Sequence, residues 1–261
     1  MADTNRLAAG LAWRAEALYN RLPRSGRVWI ENRRQDRLVQ RGHTSFDRAR
    51  LIHTYTEAIA LLRERQPGGV LGDYLEFGVY HGTSLSCMYA AREQLGLGTM
   101  RLFGFDSFDG LPDSASEEDD ALWWPGQFRS SIELTRATLR QWDVPDDAAT
   151  LIPGWFSDSC TPETRARLGL EKTSVIMVDC DLYSSARDAL AFCGPLICTQ
   201  AVLVFDDYNA GSLAEKQMGE KRAFEEFLDA NPDLHAEEIE GLNYKNKVDP
   251  QLFLVTRVGG R

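Results

Sequence analysis

Two uninterrupted apolar runs, Val175-Ile-Met-Val178 and Val202-Leu-Val-Phe205, end abruptly in acids: Asp179-Cys180-Asp181 after the first, Asp206-Asp207 after the second. Runs that are apolar at every position suit strands buried on both faces, as in a parallel sheet covered by helices. In open α/β sheets the carboxyl ends of the strands are the edge where ligands bind. From Tyr74 onward the chain repeats this alternation of short β-type runs and amphipathic segments. Strands are expected at residues 73–77, 101–105, 150–152, 174–178, 201–205, 235–239 and 251–256, with helices at 83–94, 184–192 and 213–229. Gly96 and Gly98 end the first of these helices, and Phe224, Phe227 and Leu228 give the last a stripe that packs on the sheet.

Ahead of the sheet, residues 1–70 are expected to form a helical cap, notably over 7–22 and over 46–65, where Leu51, Ile52, Tyr55, Ile59 and Leu62 share one face. Residues 71–261 then make up the catalytic domain. At 261 residues the chain is long enough for one α/β domain with a terminal appendage. The segment 107–127, with Gly110, Pro112, Pro125, the acidic run 117–120 and Trp123-Trp124, is the longest irregular stretch and a candidate functional loop.

Charge narrows the partners. The formal net charge of −10 disfavours a nucleic-acid backbone binder. The first 50 residues nevertheless carry eleven Arg, no Lys and five acids. They read as a solvated or subunit-contacting helical face, or as a basic flap over an acidic site or an anionic substrate. The five cysteines are odd in number and form no CxxC pair, which fits a reducing cytoplasm. Arg6, Arg14 and Glu16 interrupt any leader-like run. The apolar stretch 189–205 contains Gly194, Pro195, Thr199 and Gln200, so it reads as helix end, turn and buried strand rather than a membrane span.

Three pieces at successive strand ends point to a nucleotide-like ligand. Glu76-Phe-Gly78-Val-Tyr80-His81-Gly82-Thr-Ser84 enters a helix, and its glycines let a ligand approach the main chain. Its acid would repel a pyrophosphate but could receive an amino-acid ammonium. Phe103-Gly-Phe-Asp106-Ser107 ends the second strand with an acid placed for ribose hydroxyls. Pro153-Gly154-Trp155-Phe156-Ser157-Asp158 follows the third and could wall an adenine. Each has a plainer reading: a tight turn for Gly78 and Gly82, core packing for Trp155 and Phe156, a structural role for His81. Together they suit an adenosine that carries an amino acid and no phosphate.

The four carboxylates Asp179, Asp181, Asp206 and Asp207 would converge in one pocket, at an electrostatic cost that shared protons or a cation relieves. All-oxygen ligands suit Mg²⁺, Mn²⁺ or Ca²⁺. Strand alternation turns Asp179 and Asp181 together and Cys180 away. A cation held by Asp179, Asp206 and Asp207 would help a hydroxyl attack a methyl group, with Asp181 as general base. Asp181 or Asp207 could instead cap the following helix.

At these residues the chain resembles the macrocin O-methyltransferase family of class I, S-adenosylmethionine-dependent and metal-dependent sugar O-methyltransferases. The words that carry the resemblance are Leu75-Glu-Phe-Gly-Val-Tyr-His-Gly, Phe105-Asp-Ser-Phe-Asp-Gly-Leu-Pro, Val178-Asp-Cys-Asp-Leu-Tyr and Phe205-Asp-Asp-Tyr, within residues 74–258. It implies a Rossmann-like three-layer α/β sandwich with a seven-stranded, mostly parallel sheet and a helical N-terminal cap. It implies S-adenosylmethionine at Glu76, Gly78, Ser84 and Asp106, with Tyr80, Ser107, Gly154, Trp155, Phe156 and Asp179 expected to complete the donor site, Mg²⁺ or Mn²⁺ at Asp179, Asp206 and Asp207, and Asp181 as base. It further implies a sugar or glycoside substrate and a homo-oligomer in which N-terminal segments close neighbouring sites. Residues 1–70 and the 117–124 loop carry no family word, although the acceptor should be selected there. Lys245 and Lys247 could meet an anionic acceptor such as a nucleotide-linked sugar, or be solvated. Trp123 and Trp124 keep a catechol-like phenol open as acceptor. A non-catalytic S-adenosylmethionine-binding module is disfavoured by the four intact acids, and a dehydrogenase by the missing GxGxxG.

Overall fold

The computed structural model describes residues 18–44, 46–239 and 250–259. Helices α1 (Arg24–Val39) and α2 (Arg48–Arg65) precede β1 (Asp73–Phe77), α3 (Thr83–Gln94) and β2 (Leu102–Asp106). After the long loop come α4 (Ile132–Gln141), β3 (Ala149–Pro153), α5 (Phe156–Ser159), α6 (Pro162–Leu168), β4 (Thr173–Val178) and α7 (Tyr183–Cys193). The chain ends with β5 (Gln200–Phe205), α8 (Gly219–Ala230), β6 (Leu234–Glu238) and β7 (Gln251–Arg257). Each expected strand is present, with edges within one residue of the expectation.

The strands form one sheet in the order β3-β2-β1-β4-β5-β7-β6, parallel throughout except for β7, which runs antiparallel to both neighbours. Alternation sorts each central strand between two cores. Leu75, Phe77, Ile176, Val178, Leu203 and Phe205 face α7 and α8, where Leu190, Phe224 and Phe227 are buried. Tyr74, Val175, Met177, Val202 and Val204 face the opposite way, against Tyr55 and Ile59 of α2 and Leu85 and Met88 of α3. Each such fully buried large side chain contributes about 1.5–3 kcal/mol, so continuous apolar strands can hold only the centre of the sheet. This three-layer sandwich is the expected fold class, and it sets the carboxyl ends of β1, β2, β4 and β5 side by side.

Three local details depart from expectation. Residues 210–212 and 214–216 form single 3-10 turns, and the helix begins only at Gly219, because Gln217 and Gly219 take positive φ. Three short helices, α4 to α6, flank β3, and α4 is capped by Ser131, whose hydroxyl accepts from Leu134 N. The acidic run 117–120 is not a free loop: Asp119 accepts from Tyr183 N at 2.8 Å and Gly219 N at 2.9 Å, and Glu118 from Ser184 N at 3.1 Å. One loop therefore caps the first turns of α7 and α8, the helices that follow the two acid-tipped strands. Of the expected helix at 7–22, residues 18–21 are helical, and 7–17 lie outside the described residues, as do Lys245 and Lys247. Residues 189–205 are helix end, turn and strand, and among the described residues no helix is long and apolar enough to cross a membrane.

Candidate active site

The glycine-rich turn between β1 and α3 is shaped by a close backbone crossing. Gly78 has φ +92°, and a Cβ there would stand 1.6 Å from the Asp179 carbonyl oxygen. Only glycine lets β1 and β4 leave the sheet so close together. The turn is then fixed from β2. One oxygen of Asp106 accepts from Val79 N at 2.8 Å and Tyr80 N at 2.7 Å, and the other accepts from Phe108 N at 2.6 Å.

Glu76 lies one layer beneath this turn, with no exposed surface. Its carboxylate accepts from Ser84 Oγ at 2.6 Å and from the Tyr74 hydroxyl at 2.5 Å. The residue placed at a donor ammonium by its position in the motif therefore supports Ser84, which does reach the cavity. Burial pushes the Glu76 carboxyl from 4.5 up to about 7, against the opposing pull of the Ser84 and Tyr74 hydrogen bonds. Because the folded value lies above the unfolded one, its contribution to stability is complete below about 4.5 and is lost as pH rises through 7. Glu76→Gln should therefore gain on the wild type by on the order of 3 kcal/mol between acid and pH 8. Denaturant melts of both proteins across that range measure it; a stability difference that does not change with pH would show that folding leaves the Glu76 pKa unshifted.

The carboxylates gather at the ends of β4 and β5. Val178 pairs with Phe205, and the ladder runs one residue further, with Asp206 N donating to Val178 O at 3.0 Å and Asp179 N to Phe77 O at 2.9 Å. Ligand atoms of Asp179, Asp206 and Asp207 all lie within 4.8 Å of one another. Asp181 faces the same cavity and is hydrogen-bonded to Asp207. Cys180 packs into the core on the Val178 side, away from the acids as alternation expects, although β4 itself ends at Val178 and Asp181 takes a left-handed φ of +65° in a tight turn.

Burial, and then the neighbouring acids, push Asp179 well up, first among them Asp206 and Asp207. Burial followed by Asp207 does the same for Asp181. Burial carries Asp207 to about 6. A fifth carboxylate, Glu220, is 1% exposed behind them; Oε2 accepts from Asp207 N at 3.1 Å, and Oε1 has no hydrogen-bond partner among the described residues. It extends the buried stripe of Phe224 and Phe227 back by one helical turn, which is the signal by which sequence could have found it. Three converging hard oxygens amid further acids are a donor set suited to a cation such as Mg²⁺ or Mn²⁺.

One cavity of about 620 Å³ joins these parts. Gly78, Tyr80, Ser84, Asp106, Ser107, Trp155, Phe156, Asp179, Asp181, Asp206 and Asp207 line it, whereas Glu76 and Gly154 stand behind its wall. Gly154 N donates to Asp106 O at 2.9 Å, tying β3 to β2. Ser107 Oγ donates to Gly110 O at 2.9 Å and shapes the loop mouth. Phe156 packs edge-on against core Phe77 at 5.7 Å while reaching the cavity, so its core and wall roles coexist.

Sequence reasoning missed the wall that α1 supplies. Val28, Glu31, Asn32, Gln35 and Val39, a single helical face, line the cavity, and no arginine of α1 does. Asn32 donates to Gly126 O at 2.7 Å, Arg24 covers the Trp124 ring at 3.7 Å, and Asp36 meets His81 Nε2 at 3.0 Å. Of the two tryptophans, Trp123 lines the cavity, at 6.0 Å from Phe128, and Trp124 does not.

Known proteins share this architecture. The structure of the O-methyltransferase NovP superposes with a TM-score of 0.62 at 22% identity, over 80% of each chain. Among curated proteins, the chain is 32% identical over 146 residues to 8-demethyl-8-(2,3-dimethoxy-alpha-L-rhamnosyl)-tetracenomycin-C 4'-O-methyltransferase of Streptomyces olivaceus, 54% of each sequence. It is 26% identical over 148 residues to mycinamicin III 3''-O-methyltransferase of Micromonospora griseorubida, 54% of this chain and 56% of that one. The chain thus matches about half the length of these curated relatives. The macrocin-O-methyltransferase (TylF) family model matches residues 31–231, starting inside α1 and so taking in helices ahead of β1 that carry none of the motif words. With that span of the fold and the acid-tipped strands inside it, the chain belongs to the macrocin-O-methyltransferase (TylF) family.

Proposed function

We propose that this protein transfers a methyl group from S-adenosylmethionine to a sugar hydroxyl of a glycosylated natural product or an activated sugar. The observation that carries the reading is the meeting, in one cavity, of the β1–α3 glycine turn with the four carboxylates that tip β4 and β5. Gly78, Tyr80, Ser84, Asp106, Ser107, Trp155, Phe156 and Asp179 form the donor end, and Glu76 and Gly154 support it from behind. Asp179, Asp206 and Asp207 would hold Mg²⁺ or Mn²⁺, which supplies Lewis acidity to a hydroxyl otherwise too weakly acidic to react at neutral pH. Asp181 takes the hydroxyl proton as the oxygen bonds to the methyl carbon and the carbon–sulfur bond breaks, its electron pair staying on sulfur. The fixed turn and the strand ends hold donor and acceptor in line.

α1 is the cap over this cavity, whereas α2 belongs to the sheet's helical layer. Leu18, Leu22 and Trp29 are exposed on the N-terminal segment, which supports a homo-oligomer that covers them. The acidic cavity gives no footing to nucleic acid.

The aromatic corner of Tyr80, Trp123 and Phe128 favours one second reading, a catechol-like phenol as acceptor. A panel of glycosides, rhamnosides among them, set beside a panel of catechols decides between the two. Methyl transfer should be confined to sugars, vanish with a chelator and return with Mg²⁺ or Mn²⁺. Turnover of catechols alone would end the sugar reading, and chelator-resistant transfer would end the metal site.

A further inference from the structure

The two helices behind the acid cluster are capped from a distance. α4 and α6 are closed locally, Ser131 accepting from Leu134 N and Thr161 from Thr164 N. α7 and α8 are not: Leu182 and Met218 stand at their cap positions and make no side-chain cap bond. Asp119 serves both instead. Its Oδ2 accepts from Tyr183 N at 2.8 Å and its Oδ1 from Gly219 N at 2.9 Å, across 64 and 100 positions of sequence.

These bonds close a ring around the acids. Tyr183 lies two residues after Asp181, and Asp181 is hydrogen-bonded to Asp207. Asp207 N donates to Glu220 Oε2 at 3.1 Å, and Glu220 directly follows Gly219. The path therefore runs from Asp119 through Tyr183, Asp181, Asp207, Glu220 and Gly219 back to Asp119. Two separate caps would leave the helix starts free to part, whereas one carboxylate gripping both fixes the distance between them. Asp181 and Asp207, which repel each other when ionised, are thereby held together from outside the cavity, which Asp119 does not line.

The backbone is strained to keep Asp119 in place. Asp119, Asp120 and Ala121 take φ of +49°, +58° and +54°, three successive left-handed residues without a glycine. Asp119 is 3% exposed, and burial pushes its carboxyl up against the opposing pull of the Tyr183 and Gly219 amides. A cap alone needs none of this: Ser131 and Thr161 do the same work from extended backbone. Strain of this kind persists where the surroundings dictate it, and it gathers at functional sites.

We propose that Asp119 is a positioning residue for the cation site: it sets the approach of Asp181 and Asp207 through the starts of α7 and α8 and never touches the cation. Cation affinity then depends on the loop that also carries Leu111, Pro112 and Trp123 along the cavity wall. The proposal rests on the reading of Asp179, Asp206 and Asp207 as cation ligands.

The test titrates the full-length protein, saturated with S-adenosylhomocysteine, with Mn²⁺ and follows the free ion by electron paramagnetic resonance. Asp119→Ala should weaken Mn²⁺ binding by about 10-fold or more, the usual effect of removing a group that orients metal ligands. Affinity for S-adenosylhomocysteine, measured by calorimetry, should stay within a few-fold of the wild type. Asp119→Asn tolerates the left-handed backbone but keeps one acceptor oxygen, so its Mn²⁺ affinity should fall between the two. That variant carries the test if the alanine protein does not fold. Thr161→Ala, which strips a cap of the same kind from α6, should bind Mn²⁺ as the wild type does. Unchanged Mn²⁺ affinity in either Asp119 variant would overturn the proposal, as would an equal fall in S-adenosylhomocysteine affinity or an equal fall in Thr161→Ala. A wild type that binds no Mn²⁺ would overturn the cation reading itself, and the proposal with it.

Discussion

Replacing Asp181 by Asn is expected to lower kcat by about 10²–10⁴-fold, the usual worth of a positioned proton acceptor. The change keeps the side chain's shape, and the amide can still meet Asp207, its present hydrogen-bonding partner. What disappears is the capacity to accept a proton. Donor affinity, measured by calorimetry with S-adenosylhomocysteine, should stay within a few-fold of the wild type. Burial, and then the charge of Asp207, raise Asp181 well above the ordinary carboxyl range. The acid limb of the pH–rate profile should therefore be lost in the variant along with the rate. If Asp181→Asn keeps wild-type kcat, the proton goes elsewhere and Asp181 only props Asp207.

Gly78→Ala should be the most damaging single-methyl change in the protein. Its Cβ would lie 1.6 Å from the Asp179 carbonyl oxygen and 2.6 Å from the carbonyl carbon, both main-chain atoms that no rotamer change can move aside. Positive φ adds a strain of about 1–2 kcal/mol of its own. The turn must shift, and with it go the bonds from Val79 N and Tyr80 N to Asp106. A loss of more than about 3 kcal/mol in unfolding free energy is expected, together with loss of S-adenosylhomocysteine binding. Gly96→Ala is the control. Gly96 also has positive φ, +65°, but nothing lies within 4 Å of its would-be Cβ, so it should show the strain without the collision. Equal melting temperatures for the two variants would mean that the strands separate at no cost.

The two acid-tipped strands were legible in sequence because burial on both faces leaves an uninterrupted apolar run, and a charge after such a run marks where the sheet ends. The glycine turn was legible for a related reason, since a backbone crossing at van der Waals distance excludes every side chain. What stayed hidden acts across long separations or depends on direction. Asp119 is bonded to residues 64 and 100 positions away, and nothing in its local sequence distinguishes it from a solvated acid. Net charge along residues 1–50 has no direction, so it could not show that α1 turns Val28, Asn32 and Gln35 to the cavity and its arginines elsewhere. Strand periodicity ends where the strand does. Asp181 reaches the cavity through a left-handed turn, a conformation that alternation does not describe.

The doubly capping Asp119 limits how this protein could be re-engineered. The loop that carries it also carries Leu111, Pro112 and Trp123, the side chains best placed to meet an acceptor, so exchanging the loop whole with a relative's would also loosen α7 and α8 behind Asp181 and Asp207. Substrate range should be retuned by varying positions 111, 112, 123 and 128 individually, with Glu118 and Asp119 left as they are.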